Sequence, residues 1–372
     1  MATASTITES DFVADAPEFR ASTDEFTGRG VVGLLNDWRA GRGTGREFFE
    51  QAGEHGLLGA VVPSECGGAG LSDRRYAHLI VESLSAVGAV GTALAVGFHT
   101  AVALPVLVAQ RSKDTQDLIE SAAVGATVIA VANLGGSIRV EPGGGGHGIL
   151  AGTSAAVVNA AVADYFMLLI DDGVAEPVIL LVAAGDVAVA PTSQFLGMPE
   201  SGSRDVSFEG VEVTQDMIIV RDADRSGWFA DVATVIATAC IEATRVAIRQ
   251  TVEYVRERRV FGKPLSEFEN TKAILSGLHA EATVVSMSQR ECSSARESGL
   301  AHDVSFAASV TRSAALFDRA VDQCLQLHGG YGYMREYPIA HAFAAARQVL
   351  LLVEGLPLAQ PTLETDVGLR DE

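Results

Sequence analysis

Apolar residues at helical spacing dominate both ends of the chain, and short apolar or alternating runs fill its middle. Val31, Leu34, Leu35 and Trp38 share one face of a helix that starts at Val31. Residues 45–56 predict a second helix, which leads into the glycine turn Leu57-Leu-Gly-Ala-Val-Val-Pro-Ser-Glu-Cys-Gly-Gly-Ala-Gly-Leu71. Segments rich in Ala, Val and Leu at 73–98 and 101–122 predict more, so residues 29–125 read as an N-terminal α-helical domain. Residues 1–28 carry many Ser, Thr, Asp and Glu and read as a flexible arm.

The period changes near Thr127. Val128–Ala132, Tyr165–Ile170, Pro177–Val182 and Val187–Val189 are short β-prone runs between turn residues, and Phe208–Val213 alternates apolar with polar. Residues 126–216 therefore predict a small β-barrel or sandwich domain. Gly143–Gly146 falls between strands, with no following helix and no Lys-Ser/Thr, and reads as a hairpin loop rather than a phosphate cradle. From Trp228 a helical pattern runs unbroken to Arg259, and 269–298, 302–327 and 339–353 supply three more helices. Residues 217–356 thus predict an antiparallel four-helix bundle. Residues 357–372, acidic and carrying Pro357 and Pro361, read as a tail without a helix. The fold class is α+β and multidomain.

Composition narrows the partners. A chain of 372 residues has room for two or three cores. The net charge of −20 argues against nucleic acid and anionic membranes, but a polyanionic thioester needs only a local basic patch. The longest apolar runs are interrupted, so no membrane insertion is expected, and the polar N-terminus predicts no secretory signal. Cys66, Cys240, Cys292 and Cys324 have no paired spacing and read as buried thiols of a reducing cytoplasm, with no metal site.

The chemistry gathers around Cys324-Leu-Gln-Leu-His-Gly-Gly-Tyr-Gly-Tyr-Met-Arg-Glu-Tyr-Pro338. Gly329, Gly330 and Gly332 end a helix and bare the backbone, with Gln326 one turn before the break. The stretch reads either as a cofactor rim or as a glycine turn between packed helices. Some ~70 residues upstream stands Arg258-Arg-Val-Phe-Gly-Lys-Pro-Leu-Ser-Glu-Phe268. Both segments, in this order, resemble signature motifs of the acyl-CoA dehydrogenase family, whose helical, β and helical-bundle domains match the pattern above.

The resemblance implies FAD, an acyl-CoA or acyl-carrier-protein thioester, and a homotetramer or a heterotetramer with a related chain. A carboxylate takes the α-proton of the acyl group while the flavin accepts hydride from the β-carbon. On this resemblance Glu354, in Leu352-Val-Glu-Gly-Leu-Pro357, is the base. Arg258 meets the pyrophosphate, Phe261 the adenine side, and Gln326, Leu327, His328, Gly329 and Gly330 the adenine end, mainly of a flavin held by the neighbouring subunit. Other positions depart from the family. Ala156 and Val158 stand for its Trp-x-Thr, Asn133-Leu-Gly-Gly-Ser137 for its Glu-Pro-Gly-x-Gly-Ser, Leu356 for the Thr after Glu-Gly, and Glu269 for the Gln of its Phe-Gln pair. The Arg found near Ala233 is missing, and Val232, with Asp231 beside it, occupies the alternative base position. Glu354 follows Arg347 by seven residues where the family spacing is six, a difference of ~100° on a helix. Three functions remain open: a self-contained dehydrogenase using Glu354, an incomplete partner subunit that lends flavin contacts across an interface, or a repurposed flavoenzyme.

Overall fold

The computed structural model describes residues 9–40, 45–71, 73–112, 115–143, 148–171, 176–192, 195–299, 302–356 and 359–369. The N-terminal domain holds α1 (Glu9–Arg39), α2 (Arg46–Glu54), α3 (Arg75–Ala86), α4 (Val90–Gly97), a π-helical turn (Phe98–Ala103), α5 (Leu104–Ala109) and α6 (Gln116–Ala123). The expected arm is largely α1; only residues 1–8 of it lie outside the described residues. Its buried stripe runs through Thr23, Thr27, Val31, Leu35 and Trp38 at helical spacing. Two polar residues in that stripe hide it from a hydropathy reading. Thr23 donates to Phe19 O (2.8 Å) and Thr27 to Asp24 O (3.2 Å), so both hydroxyls are satisfied inside the helix. The helix expected over 73–98 divides at Gly88, whose φ of +82° suits a residue without Cβ.

One stretch, Val90–Ala109, is apolar and long enough to cross a membrane by length and composition, contrary to the sequence reading. Here it is mostly buried, packed against the long helix of the bundle and the first strand.

The β domain contains β1 (Ile129–Ala132), β2 (Arg139–Pro142), β3 (Gly148–Ala151), β4 (Thr153–Val157), β5 (Tyr165–Ile170), β6 (Val178–Ala183), β7 (Ala188–Val189), β8 (Arg204–Ser207), β9 (Val211–Val213) and β10 (Ile218–Arg221). They form three small sheets, ordered β1-β5-β6-β10, β2-β3-β9 and β4-β8-β7, with β1 and β5 parallel and the other pairs antiparallel. The strands flanking the glycine run pair antiparallel, with Pro142 opposite Gly148, while residues 144–147 lie outside the described residues. Phe166 and Phe208 meet edge to face in this domain's own core, 5.8 Å between centroids.

The bundle is α7 (Arg225–Glu257), α8 (Glu269–Glu297), α9 (Asp303–His328) and α10 (Pro338–Glu354). Asp224 caps α7 by accepting from Gly227 N at 2.9 Å. Between α7 and α8 a short hairpin joins β11 (Arg259–Val260) to β12 (Lys263–Pro264). Instead of a tail without a helix, α11 (Ala359–Asp366) packs on α9. Pro361 is its third residue, in the first turn, where the missing N–H has no helical partner to lose. All four cysteines are free and buried, and burial pushes the Cys324 thiol up to about 11.

His99 couples the N-terminal and β domains. Its Nε2–H donates to Ala122 O (3.0 Å) and its Nδ1 accepts from Ile129 N (3.2 Å), so the ring is neutral and one tautomer is fixed. Burial, first of all, lowers its pKa to about 4. An unfolded chain protonates this histidine as pH falls through about 6.5, whereas the folded chain resists until about 4. The stability that His99 contributes is therefore full above pH 6.5 and falls by roughly 3 kcal/mol as pH approaches 4, a window shared by His78, whose pKa desolvation also lowers to about 4. Urea midpoints at pH 7, 5.5 and 4.5 should trace that decline, with a flatter slope in His99→Gln.

Candidate functional site

The loop after β1 divides a cavity between the domains. Asn133, with φ +59°, accepts from Ile138 N (2.8 Å) through Oδ1 and donates through Nδ2 to Ile138 O (3.2 Å) and Leu169 O (2.9 Å). That small carboxamide closes the loop on itself and ties it to β5, and Asn tolerates the left-handed backbone better than most residues. The amides of Leu134 and Gly135 take no part in the turn's own bonds, which run from Gly136 N to Asn133 O and from Ile138 N to the Asn133 side chain. Gly135 approaches the end of α10 so closely that a Cβ there would meet Gly355 O at 3.4 Å.

On one side of this loop lies a chamber of about 270 Å³, walled by Leu169, Trp228, Phe229, Val232 and Leu356. Its mouth carries an ion pair, Arg225 Nη1 to Asp171 Oδ2 at 3.0 Å. On the other side lies a chamber of about 430 Å³ between β4 and α10, and Leu134 and Gly135 belong to both walls. Ala156 and Val158 face it, together with Gln348, Leu351, Leu352 and Gly355. The shortened side chains at Ala156 and Val158 thus leave room in this chamber. Ala156 adopts φ +52° at a bulge in β4, and its N–H is held by Asp205 Oδ1 at 2.9 Å.

Glu354 does not line either chamber. It is the exposed last residue of α10, because the helix continues regularly to that point and the extra residue is not absorbed in a loop. Seven residues bring Glu354 back within ~20° of Arg347, whose guanidinium lies outside the chambers and pairs with Asp318 at 2.6 Å. Among the described lining residues of both chambers the carboxylate is Asp171, already tied to Arg225. Asp231, beside Val232, is clamped by Arg74 (2.6 Å) and Arg296 (3.1 Å).

A third cleft, about 380 Å³, gathers six of the seven residues expected at a cofactor: Arg258, Gln326, Leu327, His328, Gly329 and Gly330. Phe261 is the exception. It is 94% exposed at the β11–β12 turn, where Phe261 and Gly262 both take positive φ (50° and 83°) in a tight hairpin that carries the ring away from the cleft. Tyr254, one helical turn before Arg258, was not foreseen. It stacks on His328 with centroids 4.2 Å apart and donates to His328 O at 3.1 Å, which fixes the end of α9. His328 is itself buried, its Nδ1 2.8 Å from Cys324 O, and burial lowers its pKa. Arg258 lies over the Tyr331 ring, 5.7 Å from its centroid, and is the cation of the cleft.

A helical domain, a small β domain and a helical bundle around a divided cavity define a three-domain protein with a cofactor-sized cleft. Family models for the acyl-CoA dehydrogenase N-terminal and C-terminal domains match residues 14–117 and 227–355, and the chain belongs to the acyl-CoA dehydrogenase family. It is 23% identical over 90% of its length to a mitochondrial long-chain specific acyl-CoA dehydrogenase of Rattus norvegicus, covering 82% of that protein. An acyl-CoA dehydrogenase from Geobacillus kaustophilus superposes with a TM-score of 0.83 at 21% identity, over 97% of this chain and 100% of that one. An acyl-CoA dehydrogenase complexed with FAD, from Bacillus anthracis, gives 0.81 at 21% identity, over 98% of this chain and 71% of that one.

Such relatives imply a flavin, and the residues present fit one. The second chamber is largely apolar, as a flat ring requires, yet it holds a buried Gln348 Oε1 with no hydrogen-bond partner among the described residues. Such an atom suits a ligand with a polar edge.

Proposed function

We propose that the chain is a flavin-binding but catalytically incomplete subunit of an acyl-thioester dehydrogenase, working in a heterotetramer with a related chain. The observation that carries this reading is the state of the carboxylates: among the described lining residues of the first chamber Asp171 is tied to Arg225, Leu356 and Val232 are apolar, and Glu354 faces outward. FAD, when bound, supplies a hydride acceptor for the β-carbon of an acyl group on coenzyme A or a carrier protein. This chain's second chamber encloses the ring and keeps water from it. Its first chamber takes apolar acyl carbons against Trp228, Phe229 and Leu169. The third cleft receives the adenosine and phosphate end of a partner's flavin, with Arg258 on the phosphates. The partner supplies the α-proton base.

The chain purified alone should not desaturate acyl-CoA, whereas co-purification with its partner should give an active flavoprotein. Flavin released on denaturation, counted per chain, measures the first half of the reading. Glu354→Gln in the assembly should leave the desaturation rate within about twofold. Loss of a true general base typically costs 10²–10⁴-fold, so a drop of that size would return Glu354 to the reaction.

A further inference from the structure

Gln348 interrupts an otherwise apolar face of α10. Leu351, Leu352 and Gly355 share that face at spacings of three, four and seven, and all of them line the second chamber. Gln348 is only 8% exposed, and its Oε1 has no hydrogen-bond partner among the described residues. Gly197 confines it from the other side. A Cβ at Gly197 would stand 2.3 Å from Ala344 O and 3.1 Å from Gln348 Oε1, so the carboxamide oxygen is packed against that backbone at the edge of the chamber. Two other polar side chains of the lining are engaged: Ser154 Oγ accepts from Asn133 N at 3.2 Å, and Ser137 Oγ donates to Thr153 O. A dry, unbonded amide oxygen destabilises the ligand-free chain, and rotation of the terminal carboxamide would turn it toward a donor that arrives with a ligand.

We propose that Gln348 Oε1 accepts a hydrogen bond from the ring N–H of an isoalloxazine in the second chamber and so determines which flavins this chain holds. The inference rests on the flavin reading given above. Oxidised isoalloxazine carries one ring N–H, at N3, between two carbonyls. Replacing that hydrogen with methyl removes the donor and leaves the redox-active part of the ring intact. Gln348 thereby acts on cofactor selection and placement, without itself taking part in hydride or proton transfer.

The test uses the full chain, in its assembly where flavin retention requires the partner, stripped of flavin and titrated with FAD and with 3-methyl-FAD by absorbance and fluorescence. Wild type should prefer FAD by about 10-fold. Gln348→Met, similar in length but without the amide, should bind the two alike and FAD about 10-fold more weakly. Without flavin the same variant should unfold at a higher temperature than wild type, because the orphaned oxygen is gone. A residue that only packs would give the opposite sign. The wild-type comparison stands even where the variant misfolds. Equal binding of FAD and 3-methyl-FAD by wild type overturns the Gln348 inference and leaves the flavin reading standing. Failure of the chain and its assembly to bind either overturns both.

Discussion

Arg258→Ala in this chain is expected to lower the flavin affinity of the assembled enzyme by about 10–100-fold, the loss associated with one or two charge-assisted hydrogen bonds to phosphate. Arg258 stands at the exposed end of α7, with its N–H bonded to Tyr254 O (2.9 Å) and its carbonyl accepting from Leu265 N (2.7 Å). Backbone geometry therefore sets where the side chain starts, and the Tyr331 ring beneath it limits where it goes. Among the described residues the guanidinium meets the Tyr331 ring alone at cation–π distance, so a change in flavin content with little change in thermal stability isolates the lent contact. Arg258→Lys should recover only part of the loss, since an ammonium lacks the planar fork. Equilibrium dialysis of the reconstituted assembly at two salt concentrations gives the measurement. Unaltered flavin affinity in the alanine variant would remove this cleft from the cofactor site.

Gly125→Ala should be the most damaging single methyl group in the N-terminal half, destabilising the chain by roughly 4 kcal/mol. A Cβ at this position would lie 2.1 Å from Phe49 O, against backbone that cannot step aside. Gly53 meets the same joint from the other side, where a Cβ would lie 2.0 Å from Val124 O. The two backbones thus touch directly where α2 crosses the turn between α6 and β1. Overpacking of this kind costs up to ~3 kcal/mol, and the φ of +74° at Gly125 adds another 1–2 for a residue with Cβ. Gly53→Ala lacks the second penalty and gains ~1 kcal/mol of helix propensity, so it should destabilise less. Urea denaturation of the three proteins orders them: wild type, Gly53→Ala, Gly125→Ala.

The bundle was legible because α7 to α10 are long, strongly periodic and bounded by breakers such as Pro338 and the glycines after His328. The part of helix α1 before Val31 was not, since buried threonines occupy its inner stripe and Pro17 and several acids crowd its first half. Strands β2, β3, β4 and β8 span four or five residues, and β2, β4 and β8 carry exposed polar positions, so their pattern is too short to stand out. The motif cleft could be read because its residues are local in sequence: Gln326 to Gly330 is one helix end, and Arg258 is another. The chambers could not, because their walls come from the loop after β1, from β4, from α7 and from α10 at once. Gln348 did leave a trace, a polar residue on an apolar helical face. Reading it needed the knowledge that this face borders empty space rather than core.

The outward turn of Glu354 has a consequence for the history of the gene. Glu354 and Gly355 are both present at the end of α10, and the carboxylate lies outside the chambers. Deleting one codon between Gln348 and Val353 would swing the end of α10 by ~100° and restore the spacing of six from Arg347. On the proposed reading, a chain with this arrangement is one small indel away from presenting Glu354 at the family spacing. The proposed division of labour between paired subunits is one that a single mutational event could create or undo.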